Sequence, residues 1–207
     1  MALKVGLTGG VACGKTTVGE MFVRHGAHVI QADKVAHLLM QKDTPVYLQI
    51  VKAFGAGILN EDGTISRPKL ADAAFGSRRI PELNAIVHPA VIAAEDEWMH
   101  LVLQENPRGV AIVEAALILE AHAEDRFDKL ITVTCTLDQK IERFGARHNM
   151  TPAAARAEVE RRMRTQLSDE EKVRAADYVI DNSGSLSQTQ QQAGVIWGEL
   201  SALAAVR

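Results

Sequence analysis

The side chains best suited to do chemistry lie in a glycine-rich segment near the start of the chain. Residues 9–16 read Gly-Gly-Val-Ala-Cys-Gly-Lys-Thr and match the pattern G-x-x-x-x-G-K-[ST]. In this pattern, backbone N–H groups converge on a phosphate at the positive end of a helix. Lys15 can reach the β- and γ-phosphates, and the Thr16 hydroxyl can bind Mg²⁺. The predicted nucleotide contacts are Gly10, Val11, Ala12, Cys13, Gly14, Lys15, Thr16 and Thr17.

This chemistry requires a strand before the segment and a helix after it. Residues 4–7 are apolar and strand-like, and residues 17–23 have helical spacing. A chance match in a glycine-rich turn would lack that context. Gly9 and Gly14 allow backbone conformations that a Cβ would forbid. The segment therefore predicts a site for a nucleoside triphosphate.

Four further apolar runs have the length and composition of buried parallel strands. They alternate with helical segments, which favours a parallel sheet covered on both faces. The sequence predicts an α/β protein with a P-loop three-layer fold: a five-stranded parallel sheet, a helical acceptor-binding insertion and an arginine-bearing lid. The predicted strands are 4–7, 28–31, 109–114, 130–135 and 178–180.

The chain is predicted to form one domain, because no stretch rich in Pro, Gly or Ser separates independent parts. The second and third strands are too far apart for one crossover helix, so an inserted helical lobe must lie between them. The predicted parts are a core (1–32, 109–136 and 176–207), a substrate lobe (33–108) and a lid (137–175). The predicted helices are 15–25, 33–41, 45–54, 67–74, 78–85, 89–105, 137–149, 151–167 and 186–206.

Asp33 is the candidate general base. It follows the second predicted strand, at the carboxyl edge where parallel sheets bind ligands. A carboxylate there can accept a proton from an acceptor hydroxyl. The alternative is that Asp33 is the N-cap of the next helix, since Asp is favoured at that position.

Arg143 and Arg147 are the candidate lid cations. Their i, i+4 spacing places them on one helix face. Guanidinium groups stabilise the charge that develops on a transferring phosphoryl group. The alternative is a solvated face on which the arginines of 156–164 pair with Glu158 and Glu160.

Three further residues have both a functional and a structural interpretation. Glu114 ends the third predicted strand and either orients the hydration of Mg²⁺ or is a paired structural carboxylate. Asn182, in the turn after the last strand, either contacts the nucleotide or forms an ordinary turn. His88 precedes Pro89, which is predicted to begin a helix.

Composition excludes several classes of protein. The 207 residues carry a net charge of −3, and the isoelectric point is near 6.2, so there is no basic bias towards nucleic acid. No apolar stretch approaches the length of a membrane span, and because the first predicted strand lies so near the start of the sequence, we expect no signal peptide. We expect a cytoplasmic protein, a monomer or weak homo-oligomer, without nucleic-acid or membrane partners.

The two cysteines, Cys13 and Cys135, fit neither a metal site nor a disulfide framework. Cys13 lies in the glycine-rich segment, just before a predicted helix and close to Lys15. These neighbours favour a thiolate. The sequence leaves two alternatives: an exposed, reactive thiol or a small, inert residue.

The chain resembles the dephospho-CoA kinase family over nearly its whole length. The specific segments are Leu83-Asn84-Ala85-Ile86-Val87-His88-Pro89 and Ala176-Asp177-Tyr178-Val179-Ile180-Asp181-Asn182-Ser183-Gly184. They accompany the glycine-rich segment and the runs 32–37 and 63–70.

This resemblance implies ATP- and Mg²⁺-dependent phosphorylation of the ribose 3′-hydroxyl of dephospho-CoA, the last step of coenzyme A biosynthesis. It implies that Asp33 is the base, that Asp33, Arg67 and His88 bind the acceptor, and that Arg143 and Arg147 lie in the lid. Three positions depart from the usual family pattern. Gln31 replaces an Asp, Cys13 replaces a Ser, and the segment 114–120 lacks the usual proline and phenylalanine.

Other functions remain open at this point. One alternative is a kinase for a nucleoside monophosphate or a sugar acid. Another is a nucleotide-dependent switch, but the Asn-Lys-x-Asp signature for guanine is absent. A degenerate nucleotide-binding protein is disfavoured, because Lys15, Thr16 and Asp33 are all present.

Overall fold

The computed structural model describes residues 3–76 and 78–206. Contacts divide the chain into two compact units. The first unit comprises Met1–Ile30 and Met99–Arg207, and the second comprises Gln31–Trp98. We call them the nucleotide unit and the helical unit, and we describe each separately.

The described residues form one five-stranded parallel sheet. Its strands are β1 (Leu3–Gly9), β2 (His28–Gln31), β3 (Val110–Glu114), β4 (Lys129–Thr134) and β5 (Tyr178–Asp181). The order across the sheet is β2-β3-β1-β4-β5. Strand β1 lies at the centre, where Leu7 pairs with Glu114 on one side and Ile131 on the other. All five predicted strands are confirmed, with small shifts at their ends.

Helices connect and cover the strands. Along the described residues they are α1 (Lys15–His25), α2 (Ala32–Leu39), α3 (Pro45–Phe54), α4 (Arg67–Gly76), α5 (Ile80–Glu105), α6 (Leu137–His148), α7 (Pro152–Met163), α8 (Asp169–Ala175) and α9 (Leu186–Ala205). None of these helices combines the length and the apolar character needed to cross a membrane.

The alternation of side chains along β1 explains why the sheet is covered on both faces. Leu3, Val5 and Leu7 are buried in a core that includes apolar side chains of α1 and α9. Gly6 faces the other way, where an added Cβ would lie within 3.1 Å of side chains from 118–130. Burial of both faces accounts for the continuous apolar character of the strand.

One predicted helix boundary is wrong. The helices predicted at 78–85 and 89–105 are a single helix, α5, which runs through Pro89. Proline removes one i→i−4 hydrogen bond, but packing of the buried Val87 and Val91 on either side favours continuation of the helix. His88 therefore lies inside a helix and not at its start.

The sequence interpretation also missed α8. The helix begins with a capping box, in which the Ser168 hydroxyl accepts a hydrogen bond from the Glu171 N–H. In return, the Glu171 carboxylate accepts one from the Ser168 N–H at 2.8 Å. The S-x-x-E pattern at 168–171 was the signal that could have revealed this helix.

Candidate active site

The glycine-rich segment forms an open cradle at the N-terminus of α1. Gly14 is the N-cap residue, with φ 97°, and no side chain caps this helix end. The first N–H groups of α1 therefore remain available to an anion. Gly9 has φ 147°, and an added Cβ would lie 2.3 Å from the Val133 carbonyl oxygen. Both glycines are required by the path of the backbone.

Lys15 lies folded against this loop. Its Nζ donates to the carbonyl oxygens of Gly9, at 2.9 Å, and Gly10, at 3.0 Å. These hydrogen bonds hold the ammonium group over the cradle. A phosphate in the cradle could replace a neutral carbonyl as its partner, and hydrogen bonds between charged groups are the stronger kind.

Thr16 and Glu114 form the strongest indication of a cation site. The Thr16 hydroxyl donates its proton to Glu114 Oε1 at 2.7 Å, which leaves the hydroxyl lone pairs available to a cation. The other carboxylate oxygen, Glu114 Oε2, is buried and has no hydrogen-bond partner among the described residues. A buried, unpaired carboxylate oxygen is costly unless something binds to it. The pair therefore fits a hydrated Mg²⁺ ion.

Asn182 and Arg143 contact the back of the same loop. The Asn182 side-chain amide donates to the Cys13 carbonyl oxygen at 2.8 Å. Arg143 donates to the Asn182 carbonyl oxygen at 2.9 Å and approaches the Cys13 carbonyl oxygen at 3.5 Å. The structure thus brings both predicted residues to the loop, where they contact the Cys13 carbonyl oxygen.

The lid helices α6 and α7 pack on the loop through an apolar cluster. Val11 of the loop belongs to this cluster together with Phe144 and Val159. Arg147, on α6, is exposed and makes no hydrogen bond or ion pair with the residues that the structure describes. Arg143 is therefore already anchored, whereas Arg147 is unpaired.

The arginines of α7 favour the structural alternative. Glu158 accepts hydrogen bonds from Arg161, at 2.7 Å, and from Arg162, at 2.8 Å. Arg162 also lies over the Phe144 ring, 5.1 Å from its centroid. The hydrogen bond from Arg161 is the main cause that lowers the pKa of Glu158 to about 2, against the opposing effect of burial.

A buried ion pair that the sequence interpretation missed lies against Gly10. Lys140 on α6 pairs with Asp169 on α8, and the lysine side chain is only 1% exposed. A Cβ at Gly10 would lie 2.8 Å from Lys140 Nζ and 2.9 Å from Asp169 Oδ1. This contact explains why glycine occupies position 10, where the sequence pattern allows any residue.

A second buried lysine, on α8 itself, ties this helix to the segment 114–120. Lys172 is fully buried and pairs with Glu120 at 2.8 Å. It also donates to the Ala116 carbonyl oxygen at 2.9 Å. The segment 114–120, where the chain departs from the family pattern, is thus tied to α8 by a lysine ion pair.

Of the two alternatives for Cys13, the exposed, reactive thiol is wrong. Its side chain is fully buried in the core beneath the sheet edge. It packs in this core together with Val18 and Val133. Cys135 is also buried, and burial is the main cause that raises its pKa to about 11. The inert alternative fits both thiols.

Within the helical unit, Asp33 lies in the first turn of α2 and is exposed. The N-cap of α2 is Gln31, with no side-chain capping hydrogen bond. The capping alternative for Asp33 is therefore wrong. Its carboxylate makes no hydrogen bond or ion pair with the described part of the chain, so it is available to a ligand.

Arg67, a predicted acceptor residue, contacts His37. Arg67 Nη2 lies 2.8 Å from His37 Nδ1, and both side chains are exposed. His88 is partly buried on α5. These residues belong to the helical unit, whereas the loop, Glu114, Arg143 and Asn182 belong to the nucleotide unit.

The fold and the site define a class of protein. A central strand leads into a glycine-rich loop and an uncapped helix, and a Thr–Glu pair and a lid arginine lie beside them. This is the arrangement of a P-loop kinase, which binds a triphosphate on backbone N–H groups and transfers its terminal phosphoryl group.

Comparison with known proteins identifies the particular family. Residues 3–188 match the family model described as dephospho-CoA kinase. A dephospho-CoA kinase of Aquifex aeolicus is 41% identical over 198 residues, which cover 95% of this chain and 97% of that protein. The chain belongs to the dephospho-CoA kinase family.

Solved structures agree with this assignment. A dephospho-CoA kinase from Campylobacter jejuni superposes with a TM-score of 0.70 at 26% identity, and the match covers 98% of each chain. A protein from Thermus thermophilus gives a TM-score of 0.76 at 27% identity, covering 96% of this chain and 98% of the other.

Proposed function

We propose that this chain transfers the γ-phosphoryl group of ATP to the ribose 3′-hydroxyl of dephospho-CoA, giving coenzyme A and ADP. The observation that carries the proposal is the family match over residues 3–188. That span includes the intact phosphate loop, Asp33, Arg143 and Asn182. We further propose that it acts in the cytoplasm as a monomer or weak homo-oligomer. The proposal includes no nucleic-acid partner, since the net charge of −3 gives no basic bias.

The nucleotide unit binds the triphosphate. N–H groups at the start of α1 hold the phosphate oxygens, and Lys15 neutralises charge on the β- and γ-phosphates. Thr16 would hold Mg²⁺ through its hydroxyl oxygen, and Glu114 would accept hydrogen bonds from the water around it. When bound, the cation offsets negative charge on the phosphates.

The transfer step requires a base at the acceptor hydroxyl and positively charged side chains at the γ-phosphoryl group. Asp33 accepts the proton of the 3′-hydroxyl while the hydroxyl oxygen bonds to the γ-phosphorus. The bond from that phosphorus to the β–γ bridging oxygen breaks, and ADP leaves with the electron pair. Arg143 and Arg147 stabilise the equatorial oxygens, and Arg67 and His88 bind the acceptor.

Mass spectrometry of the acceptor tests the reaction. The purified chain is incubated with ATP and Mg²⁺ in three separate reactions. The acceptor is dephospho-CoA in the first, a nucleoside monophosphate in the second and a sugar acid in the third. We expect dephospho-CoA alone to gain one phosphoryl group and to give a product that co-elutes with coenzyme A. Transfer to another acceptor but not to dephospho-CoA would overturn the proposal. The Lys15→Ala variant controls for contaminating kinases.

A further inference from the structure

A buried chain of hydrogen bonds runs from α9 to the back of the phosphate loop. The Thr189 hydroxyl donates to Asn182 Oδ1 at 2.9 Å, and Asn182 Nδ2 donates to the Cys13 carbonyl oxygen at 2.8 Å. Thr189 is fully buried, and Asn182 is 7% exposed. Water therefore does not compete for these hydrogen bonds, and their loss would leave buried polar atoms without partners.

The orientation of the Asn182 amide is fixed at both ends. A carbonyl oxygen only accepts, so the Asn182 NH₂ group must face Cys13, and its oxygen must then face Thr189. The Asn182 main chain is held as well, because its N–H donates to the Thr134 carbonyl oxygen at 2.8 Å. Its own carbonyl oxygen accepts from Arg143. The side chain consequently has a single position.

That position determines the shape of the loop. A Cβ at Gly14 would lie 2.1 Å from Asn182 Nδ2, so the amide occupies the space that a side chain would need. The Cys13 carbonyl and the Gly14 N–H belong to one planar trans peptide and point in opposite directions. A hydrogen bond that holds this carbonyl toward Asn182 therefore turns the Gly14 N–H away from it, toward the cradle.

We propose that Thr189 is a positioning residue for phosphoryl transfer, although it touches neither substrate. It fixes the Asn182 amide, which fixes the Cys13–Gly14 peptide and thereby aims the N–H groups that receive the triphosphate. The Thr189 hydroxyl also lies 3.3 Å from the carbonyl oxygen of Ser185, the N-cap residue of α9, but the shorter hydrogen bond is the one to Asn182. The inference rests on the proposed function only for the KM measurements in its test.

A matched pair of threonine variants tests this inference. Thr189→Val removes the hydroxyl and keeps the shape of the side chain. Thr132→Val is the control, because Thr132 is 1% exposed and its hydroxyl donates to the Lys172 carbonyl oxygen of α8 at 3.1 Å and to no group of the phosphate loop. We measure melting temperature, ATP affinity by calorimetry, and KM for each substrate.

We expect both variants to melt at lower temperatures than the parent, because each loses a buried hydrogen bond. Only Thr189→Val should weaken ATP binding, by about 3- to 10-fold, with a matching rise in KM for ATP and no change in KM for dephospho-CoA. Thr189→Ser, which keeps the hydroxyl, should restore most of the ATP affinity.

Two results would overturn the inference. One is an ATP affinity of Thr189→Val equal to that of the parent despite a lower melting temperature, and the other is an equal loss of affinity in Thr132→Val. If Thr189→Val does not fold, Asn182→Asp takes its place. A carboxylate cannot donate a hydrogen bond to the Cys13 carbonyl oxygen, so this variant should weaken ATP binding further. Calorimetry needs no acceptor, so failure of the parent to phosphorylate dephospho-CoA would leave this test intact.

Discussion

The predicted nucleotide residues and the predicted acceptor residues are held in opposite ways. In the nucleotide unit, the phosphate loop is fixed by buried polar contacts, including those of Glu114, Asn182 and the Lys140–Asp169 pair. In the helical unit, Asp33 and the Arg67–His37 contact are exposed. A preorganised cradle loses little freedom when a triphosphate binds. The acceptor residues are ordered by few protein contacts, so their final geometry depends on the bound substrate.

Asp33→Asn should give the largest change in rate and the smallest change in stability. The exposed carboxylate contributes no described contact to the fold, while loss of a general base costs about 10²–10⁴ in turnover. We expect kcat to fall by about 10³, with ATP affinity and melting temperature close to those of the parent. Steady-state kinetics, calorimetry and thermal melts measure the three quantities. An unstable variant with normal turnover would contradict the proposed base.

Lys15→Ala tests the nucleotide unit, whose loop is held by polar contacts. The ammonium group lies at the fixed loop and supplies charge to the phosphates, so its loss should lower turnover by about 10²–10³. In contrast to Asp33→Asn, this change should also weaken ATP binding. Circular dichroism establishes that the variant is folded. Near-normal turnover by a folded Lys15→Ala protein would contradict the assignment of the loop.

Gly10→Ala tests whether buried contacts specify the loop. The new methyl group would meet the Lys140–Asp169 pair at less than 3 Å, and overpacking of this kind costs about 1–3 kcal/mol. We expect a lower melting temperature and weaker ATP binding. Gly57→Ala in the helical unit is the matched control, since its methyl group would meet nothing within 4 Å. If Gly10→Ala and Gly57→Ala changed the melting temperature and the ATP affinity equally, the Lys140–Asp169 pair would have moved aside for the methyl group. That result would contradict the prediction.

Acidification should produce the smallest effect, in the lid. The pKa of Glu158 is lowered from 4.5 to about 2, chiefly by the hydrogen bond from Arg161, so the charged form favours the folded state. Its contribution is complete above about pH 4.5 and is lost as the pH falls toward 2. Glu158→Gln should therefore lower the melting temperature by about 1–3 °C at pH 7.

That difference should shrink through the same acidic window, as thermal melts at several pH values will measure. Glu160→Gln is the control, because Glu160 is 44% exposed and lies 3.5 Å from Arg156. If the difference in melting temperature between Glu158→Gln and the parent stayed constant down to pH 3, the role of the charged pair would be contradicted.

The two units also differed in how well the sequence predicted them. The central strands were predictable because strands buried on both faces are continuously apolar, as residues 110–113 are. The phosphate loop was predictable because its chemistry is local to eight residues. Pro89 misled the prediction of α5, because local propensity gave the wrong helix boundary.

Long-range contacts explain what the sequence interpretation missed. Lys140 and Thr189 look like ordinary helix residues, and their roles depend on partners, Asp169 and Asn182, in other elements. The sequence could not decide whether Cys13 is exposed or buried, since the direction of a loop side chain depends on the backbone conformation. The chemistry of the loop could be predicted from the sequence, but the residues that support it could not.

The central position of β1 bears on how the protein is made. The strand that leads into the phosphate loop emerges from the ribosome before its neighbours, β3 and β4, which end at Glu114 and Thr134. Asn182, which shapes Gly14, emerges later still. A nascent chain that stops before β3 carries the complete glycine-rich motif without the strands and the amide that shape it. Nucleotide binding is thus acquired only after the segment that contains Asn182 has been synthesised.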